Sequence, residues 1–228
     1  MAHFTRYPPL TTSGALRYAE ALLALGRTDQ ARMQARTAWT GGLLTNDDEI
    51  RLLGRFGANL TPADHDARMD ALLWSATSAS LATAQRQLMF TSAQKRPYYQ
   101  ARLALRLRWP DADSQTQAIW SQYQNDPGLL AARAYWMRDT ANSSGARQLL
   151  ANADTMAGAA GSPLEWMRAS LAFAQGAAND KQWDIAYRIA DHVRPLPAGQ
   201  SMRDRPLGER DLYTSLEWLA GWTAFHQL

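Results

Sequence analysis

The sequence predicts an all-α protein, an irregular α-solenoid or superhelix of antiparallel helix hairpins. Three observations carry that reading. Apolar residues recur at helical spacing along nearly the whole chain, Ser, Thr or Asp followed by proline or acids marks one helix start after another, and strand-like alternation is nearly absent. An alanine stands near the start of each returning helix, at Ala31, Ala84, Ala118, Ala146 and Ala186. A small side chain there lets two helices approach closely. The gaps between these alanines are uneven, so the array follows no strict consensus.

Ser13 is placed to cap a first helix carrying Leu16, Ala19, Leu22 and Leu23, Gly26 ends it, and residues 29–39 run back. Asp47, Asp48 and Glu49 crowd the first turn of a short helix through Phe56, where carboxylates suit the helix dipole. Thr61-Pro62 sets a cap with proline at the first helical position and opens a helix with Met69, Leu72 and Leu73. Residues 80–90 return. Ser92 opens the next helix, with Tyr99, Leu103 and Leu107, which stops at Trp109-Pro110; residues 113–123 return. Asp126-Pro127 starts a pair with Leu130, Ala134 and Met137 going out and Ala146, Leu149 and Leu150 coming back. Ser162-Pro163 starts a fifth pair, with Trp166, Ser170 and Phe173 on one stripe, then Trp183, Tyr187 and Ala190 after the Asn179-Asp180 turn.

The hairpin array thus covers 1–194, a Pro/Gly-rich loop or linker covers 195–209, and residues 210–228 form one more helix. Leu212, Leu216 and Leu219 lie on one face of that helix, and Trp218, Trp222 and Phe225 on another. A helix apolar on two sides belongs between two neighbours. It reads as the first helix of a truncated further hairpin.

Composition narrows the chemistry. Of 228 residues 46% are hydrophobic, which excludes global disorder. The 24 basic and 21 acidic side chains leave a net charge of +3, without the basic run that nucleic-acid binding calls for. With no cysteine, disulfides, thiol catalysis and thiolate metal sites are excluded. No apolar run is long enough for a transmembrane segment, and the first residues carry no signal-peptide pattern.

No residue qualifies as catalytic, cofactor-binding or metal-binding. His3, His65, His192 and His226 show no metal-ligand spacing, and no phosphate-loop, dinucleotide or hydrolase motif occurs. Asp64-His65-Asp66 has the composition of an acid–base trio, but it falls in a first helical turn, where acids are favoured and successive side chains diverge by about 100°. The acids Glu209 and Asp211 read the same way. The chain has nine tryptophans, enough for a sugar-stacking face, yet Trp39, Trp74, Trp120, Trp136, Trp166 and Trp183 all sit in apolar stripes, so packing is their expected role.

The stretch Glu217-Trp218-Leu219-Ala220-Gly221-Trp222-Thr223-Ala224-Phe225-His226 resembles the E-F-L-A-G-W-x-A-L-R segment of the soluble lytic murein transglycosylases, in their N-terminal α-superhelical (U-shaped) region. Three further stretches are similar to that family in the same order. They are Leu60-Thr61-Pro62-Ala63-Asp64-His65-Asp66 with Arg68 and Leu72-Leu73, then Asp126-Pro127-Gly128-Leu129 with Trp136-Met137-Arg138, then residues 183–190. Together they cover about residues 45–228. The resemblance implies a periplasmic location and peptidoglycan as partner. It also implies non-hydrolytic cleavage of glycan strands, giving 1,6-anhydro-muramoyl ends, by a glutamate in a lysozyme-like domain after the superhelix.

The chain departs from the family where chemistry is concerned. Its glutamates precede Ala21, Ile50, Trp166, Arg210 and Trp218, so the catalytic Glu-Ser pair is absent, as is G-L-M-Q. Catalytic residues carry over to no position, and the chain alone is expected to be inactive. The expectation is a scaffold domain that holds glycan near a separate catalytic domain. The alternative is a free-standing tetratricopeptide-like scaffold with a protein partner in its concave groove.

Overall fold

The computed structural model describes Phe4 and residues 7–226; His3 and residues 227–228 lie outside the described residues. Among the described residues there are twelve α-helices, three 3-10 turns and no strand. The fold is all-α, as the periodicity predicts. Packing divides the chain into two compact units, Met1–Tyr99 and Gln100–Leu228.

In the first unit, α1 (Thr12–Ala24) and α2 (Thr28–Thr40) form a hairpin. Its cap is Thr11 rather than Ser13: the Thr11 hydroxyl accepts the Gly14 N–H at 3.0 Å, and Ser13 already lies within the first turn. Ala15 and Ala19 face Ala31, Ala35 and Ala38 in the buried core, and Leu16, Leu22, Trp39, Leu52 and Phe56 fill the space left by these methyl groups. Thr45 caps α3 (Asn46–Phe56), and a full capping box between Thr61 and Asp64 starts α4 (Pro62–Ser75). Thr77 caps α5 (Ser78–Gln87), which tightens into a 3-10 turn at Leu88–Phe90. Ser92 does not open a helix. Its carbonyl accepts the N–H groups of Lys95 and Arg96 in a turn, and α6 (Arg96–Leu107) follows.

The second unit begins within α6, at Gln100, and holds α7 (Ala112–Tyr123), α8 (Pro127–Asp139), α9 (Ser143–Ala151), α10 (Pro163–Asn179), α11 (Trp183–Asp191) and α12 (Leu207–Phe225). The α8–α9 and α10–α11 hairpins are packed pairs, and α12 rests on both α10 and α11. Ala146 and Ala186 are buried at the close approaches, as expected. Ala118 is not: α7 turns Ala112 and Thr116 inward, and Ala118 lies about 200° further round, in solvent. The last helix starts at Leu207, after Pro206, rather than at 210, and the loop before it contains a 3-10 turn at Met202–Asp204.

The repeat hidden from the sequence is in the backbone. Five outgoing helices end on a left-handed residue: Gly26, Ala76, Arg108, Ala141 and Lys181. At four of them the next N–H reaches back five residues: Arg27 to Leu22 at 3.0 Å, Trp109 to Ala104 at 2.9 Å, Asn142 to Met137 at 2.8 Å and Gln182 to Ala177 at 2.9 Å. This is the Schellman closure, which satisfies orphan carbonyls and turns the chain back. Only the first joint has the glycine that such a turn favours.

Candidate functional site

Asp64, His65 and Asp66 point into three different structural roles. The Asp64 carboxylate accepts the N–H and hydroxyl of Thr61, both at 2.8 Å, and pairs with Arg36 at 2.9 Å. Burial pushes the Asp64 carboxyl up, but the Thr61 bonds and the Arg36 charge outweigh that and leave it below its ordinary value. Asp66 accepts the N–H and hydroxyl of Ser92 at 2.8 and 2.7 Å. His65 stacks on Phe90, meets Trp39 edge-on, and has Nδ1 3.0 Å from Gln87 Nε2. An amide nitrogen can only donate, so Nδ1 accepts and the imidazole is assigned as neutral. Burial pushes the ring below its ordinary value and the Arg68 charge adds to this, against a smaller pull from Asp64 and Asp66. All three side chains are engaged within the fold, Asp64 in the first turn of α4 and Asp66 one turn on.

Arg68, which belongs to one of the family-like stretches, takes a role that its place in the sequence does not reveal. This guanidinium sits fully buried beside Met69, Leu72 and Leu73 of the same helix. It donates to the Gly42 carbonyl at 3.2 Å and to Glu49 at 2.7 Å, and lies 3.7 Å from the centre of the Trp39 ring. Only three-dimensional contacts identify it, since its partners are 19 and 26 residues away. The acids at the start of α3 are also structural. Asp48 pairs with Arg17 and Arg51 at 2.8 and 3.1 Å, and a hydrogen bond from Ser13 leads the effects that hold it below the usual carboxylate value. Glu209 is clasped by Arg205 at 2.7 and 3.0 Å.

A polar cleft of about 330 Å³ lies among Asn152, Asp154, Thr155, Arg188, His192 and Arg194. Arg188 is engaged by Asn152 at 2.8 Å and Asp184 at 2.9 Å. Both α9 and α11 end at this cleft, with Asn152 and His192 as their C-caps. The basic side chains therefore complement two helix C-termini. Among the described residues no three His, Cys, Asp or Glu side chains are grouped to hold a metal ion, and no helix is long and apolar enough to cross a membrane.

Three exposed aromatic side chains gather on one face of α12. Leu216, Leu219, Ala220 and Thr223 are buried on the inward side. On the outward side Trp218 is 65%, Trp222 38% and Phe225 71% exposed. The two indoles are parallel within 7°, with centres 5.9 Å apart. Trp222 meets Trp183 edge-on at 5.3 Å, and His226 stacks on Trp183 at 4.7 Å, which fixes the orientation of this face. A groove of about 570 Å³ runs beside it, lined by Gln175, Ala178 and Asn179 of α10 and by Thr214, Ser215 and both indoles of α12. The six tryptophans expected to pack behave so: Trp39, Trp74 and Trp166 are buried, and Trp120, Trp136 and Trp183 half-buried.

No family model matches this chain, nor does any curated protein or solved structure compared with it.

Proposed function

We propose that this chain is a non-catalytic helical scaffold, equivalent to the superhelical domain of a soluble lytic murein transglycosylase, and that it holds periplasmic peptidoglycan strands for a separate catalytic domain. The reading is carried by the state of its glutamates. Lytic cleavage needs a carboxylic acid free to give a proton to the glycosidic oxygen. Here Glu20 pairs with Arg17, Glu49 with Arg68, Glu165 with Arg168 and Glu209 with Arg205. The fifth, Glu217, takes a hydrogen bond from the Tyr213 hydroxyl, whose titration it pushes up. Each of the five has a partner within the fold, which suits a scaffold. The four family-like stretches fall on α4, α8, α11 and α12 in order.

The test is to incubate the purified chain with murein sacculi and follow two signals. Co-sedimentation with sacculi and no release of anhydro-muropeptides is the expected outcome. Failure to co-sediment ends the scaffold reading, and release abolished by replacing one glutamate ends its non-catalytic part. The uncharged groove beside Trp218 and Trp222 favours a second reading, a free-standing tetratricopeptide-like scaffold for a protein partner. Binding to sacculi separates the two.

A further inference from the structure

We propose that the groove between α10 and α12 binds an uncharged stretch of glycan, with the Trp218 indole as its stacking wall. The inference rests on the reading above in one respect, the choice of N-acetylated sugars as occupant. A pyranose ring is apolar on its two faces, where C–H groups project, and polar around its rim of hydroxyl and acetamido groups. A site for it therefore needs a flat apolar wall beside amide and hydroxyl groups. The groove has that composition. Four of its lining residues are polar and uncharged, Gln175, Asn179, Thr214 and Ser215, and two are the parallel indoles of Trp218 and Trp222. Trp218 is 65% exposed, so its ring surface is open to a ligand. The volume of about 570 Å³ is that of a small-molecule site.

The polar groups are unspent. Among the described residues, no hydrogen bond within the fold engages the side chains of Gln175, Asn179 or Thr214. Each amide brings two N–H donors and a carbonyl acceptor. The Ser215 hydroxyl already donates to the Asp211 carbonyl at 2.8 Å, so it offers a ligand its lone pairs. Gln175 and Asn179 stand one turn apart on α10, as do Thr214, Trp218 and Trp222 on α12. Two packed helices thus present a polar row and an aromatic row to the same space. The wall is set in advance. Trp222 is met edge-on by Trp183 at 5.3 Å and by His226 at 4.7 Å, and Trp218 lies parallel to it. Little side-chain freedom is lost on binding.

Charge selects the ligand. No charged side chain lines the groove. A phosphate or sulfate group would give up water there and find no cation, so the sugar is a neutral one. A peptide is the other occupant such a groove admits. The lining holds only Ala178 and Leu219 as aliphatic residues against its four amides and hydroxyls, and that balance favours the sugar.

The test titrates the full chain with chitotriose, the trimer of N-acetylglucosamine, from about 10 μM to about 10 mM, and follows the indole N–H signals by nuclear magnetic resonance. Trp218→Phe and Trp222→Phe assign the two signals that matter. Saturable movement of both is the expected result, with Trp39 and Trp74 of the first unit unmoved. Trp218→Ala weakens binding at least about tenfold and Asn179→Ala about threefold. Phe225→Ala, exposed on the same helix but outside the groove lining, leaves it unchanged. Circular dichroism checks folding, and Asn179→Ala carries the test if Trp218→Ala unfolds the chain. No movement of either signal overturns the inference and leaves the groove to a peptide. Binding that survives both Trp218→Ala and Asn179→Ala also overturns it. Co-sedimentation with sacculi is scored separately. A chain that binds the trimer but not sacculi keeps this site and loses the murein scaffold, and one that sediments with sacculi but ignores the trimer keeps the scaffold and loses this site.

Discussion

Asp66 holds Ser92 by two bonds at once, 2.8 Å from the backbone nitrogen and 2.7 Å from the hydroxyl, across 26 residues of chain. A carboxylate in the second turn of α4 thus anchors the turn that leads into α6. An acid that reads as a catalytic candidate is in effect a strut.

Asp66→Ala leaves the Ser92 N–H and hydroxyl without their acceptor in a buried setting, and is expected to lower stability by about 2–3 kcal/mol. Asp66→Asn keeps one acceptor oxygen and costs less. Urea unfolding of both variants checks this; equal losses would assign the effect to charge rather than to the two-bond geometry.

Arg68 is expected to be the most sensitive single cation. Replacement by Ala strands Glu49 and the Gly42 carbonyl and opens space against Trp39, costing about 3–5 kcal/mol. Lysine does not restore it, because an ammonium cannot serve two directions while lying flat on an indole. Thermal melts of Arg68→Ala and Arg68→Lys should fall close together and far below the parent.

Stability is expected to fall on mild acidification. His65 titrates below its unfolded value of 6.5, so the folded state binds fewer protons. Its contribution is complete above pH 6.5 and is lost as pH falls from there through the folded value. Protonation removes the acceptor for Gln87 and sets a second cation near Arg68. His65→Gln should flatten the dependence of unfolding free energy on pH below 6.5, while leaving the separate loss below 3.8 that follows from Asp48 and Asp64. An unchanged slope in the upper window would dismiss His65 as its source.

Gly158 is irreplaceable by a side chain. It has φ +71°, and an added Cβ would meet the Pro197 backbone nitrogen at 2.5 Å. Gly158→Ala is expected to cost about 1–3 kcal/mol. The opposite change applies at the joints: Arg108→Gly, Ala141→Gly and Lys181→Gly each relieve a left-handed non-glycine residue and should gain up to about 1 kcal/mol, reduced by the extra freedom of the unfolded chain. Chemical denaturation resolves both signs.

The elements were legible wherever their chemistry is local. Thr61-Pro62, Asp126-Pro127 and Ser162-Pro163 all start helices as read, because cap and proline act within one turn. Ser13 and Thr11 are both hydroxyl residues within two positions, and sequence alone does not choose between them. Ala118 was misplaced because a helix's rotation is set by its neighbours, which also decide that Arg68 is buried. The two-faced character of the last helix was legible; that the leucine face turns inward and the tryptophans outward needed α10 and α11 in place.

The Schellman joints also bear on how fast the chain finds its fold. Each closes a loop of six residues, among the shortest that reverse a helix. Hairpins built this way gather their contacts from neighbouring sequence, so little loop entropy is spent before packing rewards it. Within each unit any hairpin can serve as the seed and the next can dock on it, as in other stacked-helix arrays. Folding is then rapid and insensitive to which joint forms first, and loss of one joint slows only its own pair.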